Sequence, residues 1–349
     1  MRRLRLLGLA LAAACSDALE QTSSSGQVIA VVNSNHTVSF VAAADLSVRT
    51  VGLQAGGAAI TAAGRGSTVL VPLGSADSVA VINNAGLCTT GLCVRPVVVL
   101  PLARGSGATG VAVQDDSIAW VANPGLNTVT RINYLTGDTT SRPVGVFPRA
   151  VTIVRGRVFV ANANIAGGSP AGASWLTAFP CCGGVGASDS IPLTGANARG
   201  LSVGDDSLLY VVEAGHAGQA DGKLSIIDPV IRTELAVING LGESPGAAAF
   251  HPSGRLLIAG AHEILEVNTL TRSLTRGPGE GVTSAKGPAS ALVVDLRGRV
   301  YATSTCDLAA VSPGIVHVLS PPPDYDVIST VTVAPIGACP TAAALATTP

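Results

Sequence analysis

Side chains able to do chemistry are sparse in this chain, and few are spaced to act together. Glu213, His216 and Asp221 share the loop EAGHAGQADG, the one cluster that gathers metal-ligand residue types. Glu-x-x-His spacing aligns two ligands on a helix, but three glycines interrupt this segment, so a solvated loop competes with a metal site. Arg149 (FPRAV) and Arg199 (NARGL) recur in similar local sequences about fifty residues apart. Two guanidiniums brought together would suit a carboxylate or a phosphate. The competing reading pairs each with a nearby acid or carbonyl. No serine is expected on a strand-to-helix nucleophile elbow, and no glycine-rich run opens a helix to cradle phosphate.

The elements that carry these residues must be strands. Of the 349 residues, 47% are hydrophobic, 12% charged and 3% aromatic, with 41 Gly and 21 Pro. That is half the usual charge, which excludes a coiled coil and a charge-rich disordered chain. Formal net charge is −1, the only lysines are Lys223 and Lys286, and no basic stripe appears. Nucleic acid is therefore not an expected partner.

The chain opens MRRLRLLGLALAAAC. Arg2, Arg3 and Arg5 precede a short apolar run, Leu6 to Ala14, which is too short to span a bilayer. This segment resembles a bacterial lipoprotein signal, which implies cleavage before Cys15 and lipidation of that cysteine. The family favours Leu three positions before the cysteine, where Ala12 stands here. An ordinary secretory signal cut after Ala14 remains the alternative. Residues 1–14 are thus read as signal, 15–26 as lipidated cysteine and polar tether, and 27–349 as one domain. The expected place is the cell envelope, as an outer-membrane or surface lipoprotein, or else periplasmic or secreted. The membrane is a partner through the lipid.

Six cysteines remain for an oxidising compartment: Cys88, Cys93, Cys181, Cys182, Cys306 and Cys339. The short loop LCTTGLC favours Cys88–Cys93. Cys181 and Cys182 are adjacent and form a strained vicinal bridge or pair elsewhere, which leaves Cys306–Cys339.

Internal repetition is the strongest signal. A unit of apolar strand, turn, and second apolar strand ending in a polar residue recurs from Gly110, Ala150, Leu201, Ala247 and Ala291. Second strands are expected near Val28, Thr68, Ile118, Arg157, Leu208, Leu256 and Arg299. Inner strands are expected near Ala58, Gly110, Ala150, Leu201, Ala247, Ala291 and Thr341. Segments such as IAWVA and LLYVV are apolar on both faces, so each is sandwiched between sheets. Seven of each, at 40 to 50 residues, predict an all-β, seven-bladed β-propeller of four-stranded antiparallel blades. One blade should combine three N-terminal strands with a C-terminal innermost strand. Val121-Ala122-Asn123 with Asn127, and Val31-Val32-Asn33 before Thr37-Val38, resemble YVTN-type propeller repeats. That resemblance implies a fold and little chemistry.

On such a ring the loops after second strands and those entering inner strands share one face. The candidate ligand-binding residues at the channel mouth are Arg149, Arg199, Asn33, Asn123, Asn162, Glu213 and His216. Gluconolactonase-type propellers hold a divalent ion with acid and Asn side chains there. By that resemblance Glu213, with Asn33, Asn123 and Asn162, would hold Ca or Zn for a lactonase-like hydrolase. Asn side chains capping their own loops is the alternative. The leading expectation is a non-catalytic binding or scaffold module, monomeric, with no cofactor and with an unknown protein or small-molecule ligand.

Overall fold

The computed structural model describes residues 26–83, 97–182, 187–282, 289–304 and 312–348. It contains seven four-stranded antiparallel sheets and one two-stranded hairpin, Ile165–Ala166 with Ser169–Pro170. Each sheet is a blade of a ring. Blades 2 to 7 begin with inner strands Ala63–Arg65, Val111–Val113, Pro148–Val154, Ala198–Val203, Ala248–His251 and Ala289–Val294. Blade 1 takes its inner strand, Pro340–Thr347, from the C-terminal end of the chain. That strand pairs with Gln27–Asn33, Val28 opposite Ala346 and Val32 opposite Ala342. It also lies against the inner strands of blades 2 and 7, so the C-terminal strand is what links the two ends of the series.

The second strands explain the low charge. Gln27–Asn33, Ile118–Asn123 and Leu209–Glu213 are buried at every position. Period-2 alternation sends their side chains to opposite neighbours. Val28, Ala30 and Val32 pack against blade 2 with Val69 and Val71, whereas Ile29 and Val31 pack against blade 7 with Tyr301 and Val316. The same division recurs around the ring and gives seven hydrophobic clusters, one per blade interface. Outer strands such as Val48–Gly52 and Thr139–Pro143 are mostly exposed.

Two sequence expectations need correction. The inner strand of blade 2 begins at Ala63, not near Ala58. Residues before it are held as a loop, in which Gly57, at φ +130°, sits so close to the Leu73 carbonyl that a Cβ would lie 1.8 Å from its oxygen. Cys181 and Cys182 carry free thiols, with Sγ atoms 2.8 Å apart, not the expected bridge. Adjacent Cα atoms stand about 3.8 Å apart across a trans peptide, short of the roughly 4.4–6.8 Å that disulfides span. Cys339 is buried beside the closing strand. Cys15, Cys88, Cys93 and Cys306 lie outside the described residues, as does the whole leader.

Candidate functional site at the channel mouth

The inner strands surround a central cavity of about 740 Å³. One position per blade marks the entry to the inner strand, Thr61, Thr109, Arg149, Arg199, Gly246, Ser290 and Thr341, and all of these but Thr109 line the cavity. In blades 1, 4, 5 and 7 that residue is the extra one in a β-bulge. Arg149 falls between the pairs Pro148–Asn162 and Ala150–Ala161, and Arg199 between Ala198–Glu213 and Gly200–Val212. Ser290 and Thr341 occupy the matching breaks in register. A bulge re-aims the side chain it adds, and all four of these residues line the cavity.

A second device repeats in blades 3 to 6. Two residues before each mouth position the backbone turns to positive φ, at Gly107 (57°), Phe147 (55°), Asn197 (57°) and Ser244 (48°). For Phe147 this is a costly conformation. It is held by bonds on both sides: the Phe147 N–H donates to Asn127 Oδ1 at 2.9 Å, and the Ala163 N–H to the Phe147 carbonyl at 3.0 Å. Asn197 is held similarly, with its carbonyl accepting from the Ala214 N–H and its Nδ2 donating to the Gly215 carbonyl.

The hydroxyl members of the ring are occupied in joining strands. Thr61 Oγ1 donates to the Thr109 carbonyl, Thr109 Oγ1 to the Pro148 and Arg149 carbonyls, and Ser290 Oγ to the Pro340 carbonyl. The two arginines differ. Among the described residues, neither guanidinium has an acid within ion-pair distance or a hydrogen-bond acceptor. Arg149 Nε is buried with no partner. Its Cζ lies 5.3 Å from the Phe147 ring centroid, a contact that supports the cation without neutralising it. Burial, and then the like charge of Arg199, lowers the Arg149 pKa from its ordinary value, and burial lowers that of Arg199. Arg199 is more than one-third exposed, open to solvent inside the channel, so for it this burial effect is well screened. Elsewhere arginines meet acids: Arg157 and Arg232 share Asp189, Arg255 meets Glu266 and Arg299 meets Asp295.

The other expected ligands do not converge on the mouth. Asn33, Asn123, Asn162 and Glu213 each end a second strand, yet none lines the cavity. Their side chains turn into the blade. Asn33 Nδ2 donates to Ser39 Oγ and the Val333 carbonyl, Asn123 Nδ2 to Thr130 Oγ1, and Asn162 Nδ2 to Thr177 Oγ1. All three Oδ1 atoms are buried without a partner. Glu213 is the acid at this Asn position. It is fully buried, and accepts from the Gly195 N–H at 3.1 Å and from Ser225 Oγ at 2.9 Å. Burial chiefly raises its pKa to about 7, with the nearby Glu234 charge adding to the rise. His216 is exposed and bonds Asp221 within its own loop, Nδ1 to Oδ2 at 2.7 Å. The metal constellation implied by gluconolactonase resemblance therefore does not fit. Among the described residues no three His, Cys, Asp or Glu side chains gather in metal-binding geometry.

The sequence reading missed the ring itself. Its signal is a small or rigid residue followed by the mouth residue and two small or apolar ones, as in Ala108-Thr109-Gly110-Val111 and Pro245-Gly246-Ala247-Ala248. It also missed that Gly200-Leu201-Ser202-Val203-Gly204 has G-x-S-x-G spacing. Ser202 does line the cavity, but it lies within an inner strand and not on a strand-to-helix elbow.

No protein-family model matches the chain, and no curated protein is similar to it in sequence. Solved structures are similar in fold. Apo AztD from Citrobacter koseri aligns with a TM-score of 0.55 at 14% identity, over 92% of this chain and 98% of that one. A streptogramin B lyase structure aligns with a TM-score of 0.58 at 12% identity, over 77% of this chain and 83% of that one. At such identities the likeness extends to the propeller and no further.

Proposed function

We propose that this chain is an exported binding module that takes a small anionic ligand, through a carboxylate or phosphate, at the mouth of its central channel. The carrying observation is the pair of guanidiniums, Arg149 and Arg199, presented by bulges on adjacent blades and without an acid partner among the described residues. The charge of Arg199 already disfavours that of Arg149, and an anion between them relieves this repulsion. The described residues of the cavity wall include no His, Asp or Glu to act as an acid or base, which favours binding over turnover. Isothermal titration with inorganic phosphate and with acetate tests the reading. Binding should weaken at least about tenfold in Arg149→Gln and more in the double variant with Arg199→Gln, since charge-assisted bonds are worth about 1.5–3 kcal/mol each. Equal affinity in the double variant would refute it.

The leader supports export, and Cys15 supports a lipid anchor at the cell envelope. Under this reading, Cys15→Ala moves the protein from the membrane fraction to the soluble one. Unchanged partitioning would remove the anchor from the proposal.

A further inference from the structure

We infer that the anion taken at this mouth is amphiphilic: a carboxylate with an apolar body, the head on Arg149 and Arg199 and the body along the channel wall. This rests on the anion reading above. Arg149 and Arg199 are the only charged residues among the described residues of the cavity wall. Past the mouth, that wall is formed by Val151, Leu201, Ala248, Leu292 and Ala343, which offer no side-chain donor. Ile60, which precedes the inner strand of blade 2, also lines the cavity and is 48% exposed, so it adds accessible apolar surface to that wall.

Donor accounting separates an amphiphile from a hydrophilic anion such as a sugar phosphate. The hydroxyls of Thr61 and Ser290 already donate to neighbouring inner strands, and that of Thr341 to the Val32 carbonyl. Among the described lining residues, Ser202 and Ser244 are the hydroxyls that remain for a ligand rich in hydroxyls. A polyol would leave buried donors and acceptors unmatched, whereas an acyl or aryl body would not. About 740 Å³ is within the range of small-molecule sites.

Gly246 supplies the independent observation. It holds the mouth position of blade 6, next to Arg199, and is the one ring member without a side chain. Packing does not demand this. A Cβ there would meet nothing closer than the Ala259 carbonyl oxygen at 3.9 Å, and its φ is not in the left-handed region. By contrast Gly110, in blade 3, is imposed by the Arg149 carbonyl, whose oxygen would lie 2.3 Å from a Cβ. The gap at Gly246 therefore opens the wall beside the cationic pair, where the ligand's body would pass.

Calorimetric titration of the exported chain with decanoate, below its micelle concentration, and with inorganic phosphate tests this. Decanoate should bind at least about tenfold tighter than phosphate, given roughly 0.8 kcal/mol per buried methylene. Gly246→Val should weaken decanoate about tenfold more than it weakens phosphate, with melting temperature unchanged. Gly246→Ala, a smaller intrusion, should fall between. Phosphate binding as tightly as decanoate, or decanoate unaffected by Gly246→Val, overturns the inference and leaves the anion site standing. Decanoate binding that survives the double Arg149→Gln, Arg199→Gln change also overturns it. Failure of both ligands to bind removes the anion site as well.

Discussion

Ser225 has one hydroxyl hydrogen and sits between two carboxylates. Its Oγ is 2.9 Å from Glu213 Oε2 and 2.6 Å from Glu234 Oε1. It can donate to only one, so the other contact is favourable only if that carboxyl brings its own proton. Glu213, fully buried with its pKa raised to about 7, is the group that holds it. The positive charge of Lys223 favours ionisation, and the charge of Glu234 opposes it. The folded state thus keeps a proton that the unfolded chain releases near pH 4.5. Stability from this group is full below that value and is lost as pH rises through about 7. Glu213→Gln keeps a donor for Ser225 and does not ionise. It should flatten the fall in melting temperature between pH 5 and 8, by roughly 2 °C, read by thermal unfolding. An unaltered pH slope would show that Glu213 is ionised in the fold. Arg149→Gln makes the opposite kind of trade. Removing a half-buried, unneutralised cation should leave melting temperature equal or higher, even as anion affinity falls.

At the scale of elements, the inner strands are where sequence and structure part. Second strands were legible because two-sided burial writes an unbroken apolar run, and all seven expected starts lie within a residue of those found. Inner strands are short, and their entry is set by a left-handed residue and a bulge, neither of which has a hydrophobic period. Phe147 shows the difficulty: nothing in a bulky aromatic announces a φ of 55°. Arg149 and Arg199 were found from their matching local sequence. Glu213 is not legible in the same way, because a strand-end position does not fix which way a side chain turns, and this one turns back into the blade toward Gly195 and Ser225. The tight seat of one inner strand on the next gives a direct test. Gly110→Ala forces a Cβ against the Arg149 carbonyl and should cost about 1–3 kcal/mol in denaturant unfolding. Gly246→Ala, in open space, should cost almost nothing. Equal costs would mean that the inner strands are not seated as described.

At the scale of the molecule, stability is distributed over seven interfaces and no single core. Cluster after cluster is shared by two blades, and none spans three whole blades. Each interface depends on its neighbours, so the ring is sensitive to the strand that completes it. A chain stopped after Ala338 loses Pro340–Thr347, uncovers the edge of Gln27–Asn33 and removes Ala342 and Ala346 from the cluster between blades 1 and 2. It should aggregate or elute as higher oligomers in size exclusion, because an open sheet edge recruits strands. A soluble monomer of native melting temperature would contradict that. The placement of the two arginines has a further consequence. They stand on adjacent blades of a seven-fold ring, so the charge that the described residues bring to the cavity wall sits on one flank. The head of a bound anion is then eccentric: it leans on blades 4 and 5, and an apolar body has to cross the lumen to reach Leu292 and Ala343 on blades 7 and 1. The off-centre charge therefore selects one orientation of the guest before its body makes any contact.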